Sequence, residues 1–114
     1  MTESEQQRLF VKLVGQFIGW CYDNGYELTF GEAWRTPQQA ALNAKAGIGI
    51  ANSLHTQRLA VDLNLWQGGQ YITDPTAYKP LGDQWKTMHE LACWGGDFKS
   101  VDADHFSMTF GGVK

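Results

Sequence analysis

The chain is poor in cysteine, in basic charge and in long apolar runs, and each shortage excludes a class of protein. Cys21 and Cys93 are the only cysteines in 114 residues, too few and too far apart for a disulfide framework. They read as small apolar residues of the interior. Nine Lys+Arg against twelve Asp+Glu give a formal charge of -3. A nucleic-acid-binding face normally carries a basic excess, so no nucleic-acid partner is expected. No apolar run approaches the length of a membrane span, and no membrane anchor is expected. Met1-Thr2-Glu3-Ser4-Glu5 lacks the basic stretch and apolar segment of a secretory leader, so the expected location is the cytoplasm of the producing cell. No repeat, low-complexity tract or linker divides the sequence.

What is present suffices for one domain over residues 1–114. Hydrophobic residues make up 43% of the chain, enough for a core without staples. Leu9, Leu13, Phe17 and Trp20 form one stripe of a helix from Ser4 to Tyr22, widened by Phe10, Val14, Ile18 and Cys21, with Thr2 or Ser4 as its cap and Asn24-Gly25 as its stop. Tyr26 to Phe30 alternates as a strand. Thr36-Pro37-Gln38-Gln39 then opens a helix that runs to about Ala46. Gly47 to Asn52 reads as a flexible approach to Ser53. Ala60 to Trp66 reads as a strand and hairpins into Tyr71–Thr73, where Asp74-Pro75 ends it. Helical spacing predicts a third helix over Leu81–Ala92, followed by a glycine turn over Cys93–Phe98 and a last strand from His105 to Phe110. The expected class is α+β: a small antiparallel sheet packed with about three helices.

Chemistry concentrates in two stretches. Ser53-Leu54-His55 is followed by Asp62, seven residues after the histidine, and Asp102-Ala103-Asp104-His105 comes late in the chain. Two histidines and an aspartate are a common ligand set for a catalytic zinc, which keeps a fourth position for water. Asp62 stands within an apolar strand, where an unpartnered charge is costly; a metal would supply the partner, and so would a salt bridge to Arg58 or Arg35. Asp104 alternates away from His105 in an extended segment, whereas a turn at Asp102-Ala103 folds Asp102 back, so Asp102 is the preferred general base. Arg35 lies at a strand-to-helix junction, either facing a site or as a surface arginine. His89 and Cys93, four apart on the expected third helix, form a competing metal pair without a third ligand.

The order Ser-x-His, Ala-x-Asp and Asp-x-x-His resembles the zinc peptidoglycan peptidases. These comprise the D-alanyl-D-alanine carboxypeptidases and dipeptidases and the phage L-alanyl-D-glutamate endopeptidases, with the hedgehog signalling domain as a distant structural relative. The likeness extends from Phe30-Gly31-Glu32-Ala33-Trp34-Arg35-Thr36-Pro37 through Ser53, His55, Ala60 and Asp62 to Trp94-Gly95-Gly96-Asp97, Asp102 and His105. It implies a sheet that carries one zinc ion on His55, Asp62 and His105, with Asp102 as general base. Arg35 would hold or polarise the substrate, and Ser53 would contact it. It further implies hydrolysis of an amide in the peptidoglycan stem by a monomer. The L-alanyl-D-glutamate bond is favoured, because Asp102 stands where several carboxypeptidase relatives carry glutamate. A phage or prophage endolysin, acting on the wall after release from the host cytoplasm, fits this picture. The alternatives are a D-alanyl-D-alanine carboxypeptidase and a non-catalytic zinc-stabilised binding domain. Arg58 departs from the family, which often has glycine there; arginine enters positive backbone angles at a cost, so either the loop runs differently or glycine is not required.

Overall fold

The computed structural model describes residues 1–114. Its longest helix, α1 (Glu3–Asp23), begins with a capping box in which the Thr2 hydroxyl accepts from the Glu5 N–H and the Glu5 carboxylate accepts from the Thr2 N–H. Its buried face carries Phe10, Leu13, Phe17 and Cys21. After β1 (Glu27–Phe30) comes α2 (Pro37–Lys45), capped by Thr36 with Pro37 in its first turn, as the sequence predicts. The strands β2 (Ala60–Gln67) and β3 (Gln70–Tyr71) form a hairpin, followed by α3 (Pro75–Thr87), β4 (Ala92–Trp94) and β5 (His105–Met108). Every strand pairing is antiparallel, in the order β1-β2-β5-β4, with β3 beside β2.

The expectation for the third helix is corrected. Asp74-Pro75, read as the end of a strand, starts the helix instead: the Asp74 carboxylate accepts from the Thr76 N–H at 2.9 Å and Pro75 occupies the first turn. Pro80 inside the helix hid this, since an internal proline argues against helix. The far end also falls short, because Ala92, Cys93 and Trp94 pair with Met108, Ser107 and Phe106 as a strand. His89 and Cys93 therefore share no helix face. The His89 Nδ1 accepts from the Leu91 N–H, and Cys93 lies in β4 against Thr109.

Trp85 of α3, fully buried, anchors the core. Phe10, Phe17 and Phe106 pack around it with ring centroids 5.4–6.3 Å away, and its indole N–H donates to the Ser107 carbonyl. Trp94 is held more tightly still. Its ring lies against the backbone of both Gly82 and Gly96, where an added methyl would overlap the indole, and its N–H donates to the Ala103 carbonyl at 2.7 Å. Gly82→Ala is therefore expected to destabilise the fold by about 1–3 kcal/mol through overpacking; thermal unfolding of the two proteins under one buffer measures it.

The long strand β2 divides its partners. Its first half, Ala60–Asp62, pairs with β5, and its second half, Leu63–Trp66, pairs with β1. Asp62 sits at the changeover, directly opposite His105. The sheet thus delivers two of the candidate ligands as a cross-strand pair, whose side chains project on the same face.

Candidate metal centre

Each ligand is set in place by backbone. Asp62 donates its N–H to the Glu32 carbonyl and accepts from the Gly31 N–H, both at 2.8 Å. Gly31 has no room for a side chain, because a Cβ there would stand 2.9 Å from that of Asp62. His55 lies in a 3₁₀ turn, Leu54–Gln57, which Ser53 caps by accepting from the His55 N–H at 3.2 Å. The turn ends at Arg58 in the left-handed region, φ 56° and ψ 34°. The loop thus takes a conformation that glycine would favour with arginine in its place, so glycine is not required there, and the Arg58 guanidinium rests 4.8 Å over the Trp34 ring.

The second stretch is folded by Gly95. Its carbonyl accepts from the Asp102 N–H at 2.9 Å, and the Asp102 carbonyl accepts from the His105 N–H at 3.1 Å. A Cβ on Gly95 would run into both the Asp102 carbonyl and His105. Gly95→Ala must push apart the residues that this turn brings together. The expected result is a fall in metal affinity by about tenfold or more, as for other outer partners of a metal site, measured beside thermal unfolding to show that the fold persists.

The donor atoms converge. Asp62 Oδ1 lies 3.3 Å from His55 Nε2 and 3.8 Å from His105 Nδ1, and the three groups offer donor atoms all within 4.8 Å of one another. The His55 Nδ1 faces the Ala33 carbonyl at 3.3 Å. A proton on Nδ1, donated to that carbonyl, leaves the Nε2 lone pair pointing at Asp62. Asp62 Oδ1 is buried, without a hydrogen-bond partner. Neither arginine reaches it: Arg35 contacts Glu32, and Arg58 stacks on Trp34. The salt-bridge alternative for Asp62 is thereby removed. A lone pair aimed at a buried carboxylate oxygen requires a cation or a proton between them, and two imidazoles with a carboxylate suit a divalent ion of the zinc type.

The two imidazoles differ in their electrostatics. Burial, then repulsion from His55, pushes the His105 pKa down to about 4, so its ring is neutral and free to ligate at neutral pH. Burial also opposes charge on His55, but the Asp62 carboxylate outweighs it and leaves the pKa above the ordinary value. The Asp104 carboxyl is pushed up to about 6, first by burial and then by Asp102 beside it.

Asp102 is half exposed, and its Oδ2 stands 3.8 Å from His105 Nδ1. All six candidates, Arg35, Ser53, His55, Asp62, Asp102 and His105, line one open cleft of about 590 Å³. Three features of this cleft escaped the sequence reading. Glu32 lies against Arg35 at 2.6 Å; it belongs to the Gly31–Arg35 stretch, and its spacing of three from Arg35 was the available signal. Ile48 and Ile50, in the glycine-bearing approach to Ser53, supply an exposed apolar rim. Phe98 packs its ring 5.2 Å from that of His105.

A sheet that presents these groups in one solvent-open cleft is the framework of a peptidase. The chain belongs to the D-alanyl-D-alanine carboxypeptidase family, whose sequence model matches residues 46–108, a stretch that includes Ser53, His55, Asp62, Asp102 and His105. Arg35 and Glu32 precede it. Among solved structures the fold is similar to the L-Ala D-Glu endopeptidase ChiX of Serratia marcescens. The TM-score is 0.76 at 19% identity, over 95% of this chain and 86% of that one. No curated protein sequence matches the chain.

Proposed function

We propose that the protein is a zinc-dependent peptidase that hydrolyses an amide bond in the peptide stem of bacterial peptidoglycan, between L-alanine and D-glutamate. The observation that carries the reading is Asp62 Oδ1, buried and unpartnered between two imidazole nitrogens. His55, Asp62 and His105 would hold the ion, which supplies Lewis acidity to a carbonyl oxygen and to water.

The remaining work falls to this chain's own residues. Asp102 is the general base, placed at the cleft edge with its carboxylate open to solvent and near the ligands. It takes the proton of the attacking water and returns it to the leaving amine. Arg35 presents fixed positive charge to the oxyanion that develops as the amide is attacked, or to a substrate carboxylate. Ser53 holds the His55 turn through its cap and offers the cleft a polar wall. A purely structural metal site would need neither Asp102 nor Arg35, and it would be closed by four protein ligands.

The choice of bond rests on the fold likeness to an L-Ala D-Glu endopeptidase. A role as a phage or prophage lysin is part of the same proposal and rests on the motif resemblance to the phage endopeptidases. Purified muropeptides resolve the bond by mass: a cut between L-Ala and D-Glu is the expected product. Release of free D-Ala instead makes the enzyme a carboxypeptidase. Lysin activity is read as loss of turbidity of purified walls, and walls left intact would count against it.

A further inference from the structure

Glu32 touches three parts of the cleft at once. Its Oε1 lies 2.6 Å from Arg35 Nε and 3.9 Å from His55 Nδ1, while its backbone carbonyl accepts from the Asp62 N–H at 2.8 Å. Both Oε1 and Arg35 Nε are buried and lack an aligned hydrogen bond, and the next charged neighbour of Oε1 is His55 Nδ1 at 3.9 Å. They meet side-on rather than along the N–H direction, so what joins them is charge and enclosure more than an aligned hydrogen bond. Arg35 itself is only 15% exposed along its side chain, and its backbone N–H donates to the His55 carbonyl at 3.2 Å.

We infer that Glu32 is the positioning residue of Arg35. This rests on the reading of the cleft as a peptidase site. With Nε engaged by Glu32, the two terminal nitrogens of the guanidinium remain for substrate, a fork that matches a carboxylate or a developing oxyanion. Glu32 also balances the arginine charge, which otherwise faces the imidazoles of the ligand set. The residue binds no substrate itself. It determines where the fork stands, and without it the arginine is a long flexible cation beside the cleft.

Because the two buried atoms are each other's nearest charged partner, losses should overlap rather than multiply. The test is a pair of double-mutant cycles on the zinc-loaded protein with Glu32→Ala, Arg35→Ala and the double variant. In stem-peptide hydrolysis, Glu32→Ala is expected to lose about 10²-fold in kcat/KM, close to Arg35→Ala, and the double variant no more than Arg35→Ala alone. Zinc content stays at the wild-type level in all three, and Glu32→Gln, which keeps an acceptor oxygen, recovers part of the loss. In thermal unfolding, each single variant lowers Tm and the double lowers it no further than the worse single. Multiplying losses, zinc lost from Glu32→Ala, or wild-type turnover in Glu32→Ala would each overturn the inference. A wild type that hydrolyses no stem peptide would overturn the peptidase reading instead, and additive Tm losses would then refute the pairing by themselves.

Discussion

Asp102→Ala is expected to keep its zinc and lose turnover by about 10²–10⁴-fold, the usual contribution of a positioned general base. The expectation follows from where the side chain stands. Asp102 also brings a carboxylate oxygen within 4.8 Å of those of Asp62 and Asp104, and its Oδ2 is as near to His105 Nδ1, at 3.8 Å, as Asp62 Oδ1 is; what sets it apart from His55, Asp62 and His105 is that it is the most exposed carboxylate of the cluster. Its backbone does the structural work of the turn through Gly95 and His105, and alanine preserves those bonds. The loss should appear in kcat with little change in KM, as for a group that acts only as the reaction proceeds. Asp104 is the internal control. It is nearby, but half-buried, with its pKa pushed up to about 6 by burial and by Asp102, and its backbone carbonyl is committed to the Leu63 N–H. If Asp104→Ala lost turnover while Asp102→Ala kept it, the base would have been misassigned.

Removing a ligand has a different signature. His55→Ala, Asp62→Ala and His105→Ala should each weaken zinc binding by more than about 100-fold, beyond the loss seen for outer partners of a metal site, and hydrolysis should fall to background with it. The apo protein should nevertheless fold. The ligands stand at the edge of a core built on Phe17, Trp85, Phe106 and Leu81, all fully buried and none of them in contact with the cleft. Binding only the folded state, zinc should raise the wild-type Tm, by a free energy of about 4 kcal/mol at a thousand times Kd. The three variants should show no such rise. A variant that lost activity but kept the zinc-dependent rise in Tm would remove its residue from the ligand set.

Much of this architecture was legible because local signals agreed with burial. The α1 stripe, the Thr36-Pro37 start of α2 and the alternation of β2 are each set by residues within one turn or one strand. Both stretches of the candidate site could be read for a related reason: a charged Asp62 in an apolar strand and an Asp-x-x-His turn are anomalies that demand partners. What stayed hidden depended on distant contacts. Ala92–Trp94 is a strand only because β5 lies beside it, and nothing in those three residues separates strand from the end of a helix. The start of α3 was masked by Pro80, whose cost is absorbed in a helix that buries Tyr78, Leu81 and Trp85. Arg58 takes a glycine-like conformation because the ends of its loop are pinned, by the His55 turn on one side and β2 on the other, and Trp34 gives its side chain a surface to lie on. Glu32 was passed over because its partner became visible only once Arg35 was seen turned into the cleft.

The central claim is that hydrolysis depends on a single zinc held by His55, Asp62 and His105. The most direct measurement strips the wild-type protein with a chelator and returns zinc in steps, recording bound metal per chain and cleavage of a purified muropeptide on the same samples. The account predicts no cleavage in the stripped protein, and a rise proportional to bound zinc that saturates at about one ion per chain, as for a site with three protein ligands. Cleavage undiminished after stripping, or a protein that takes up no zinc, would contradict it.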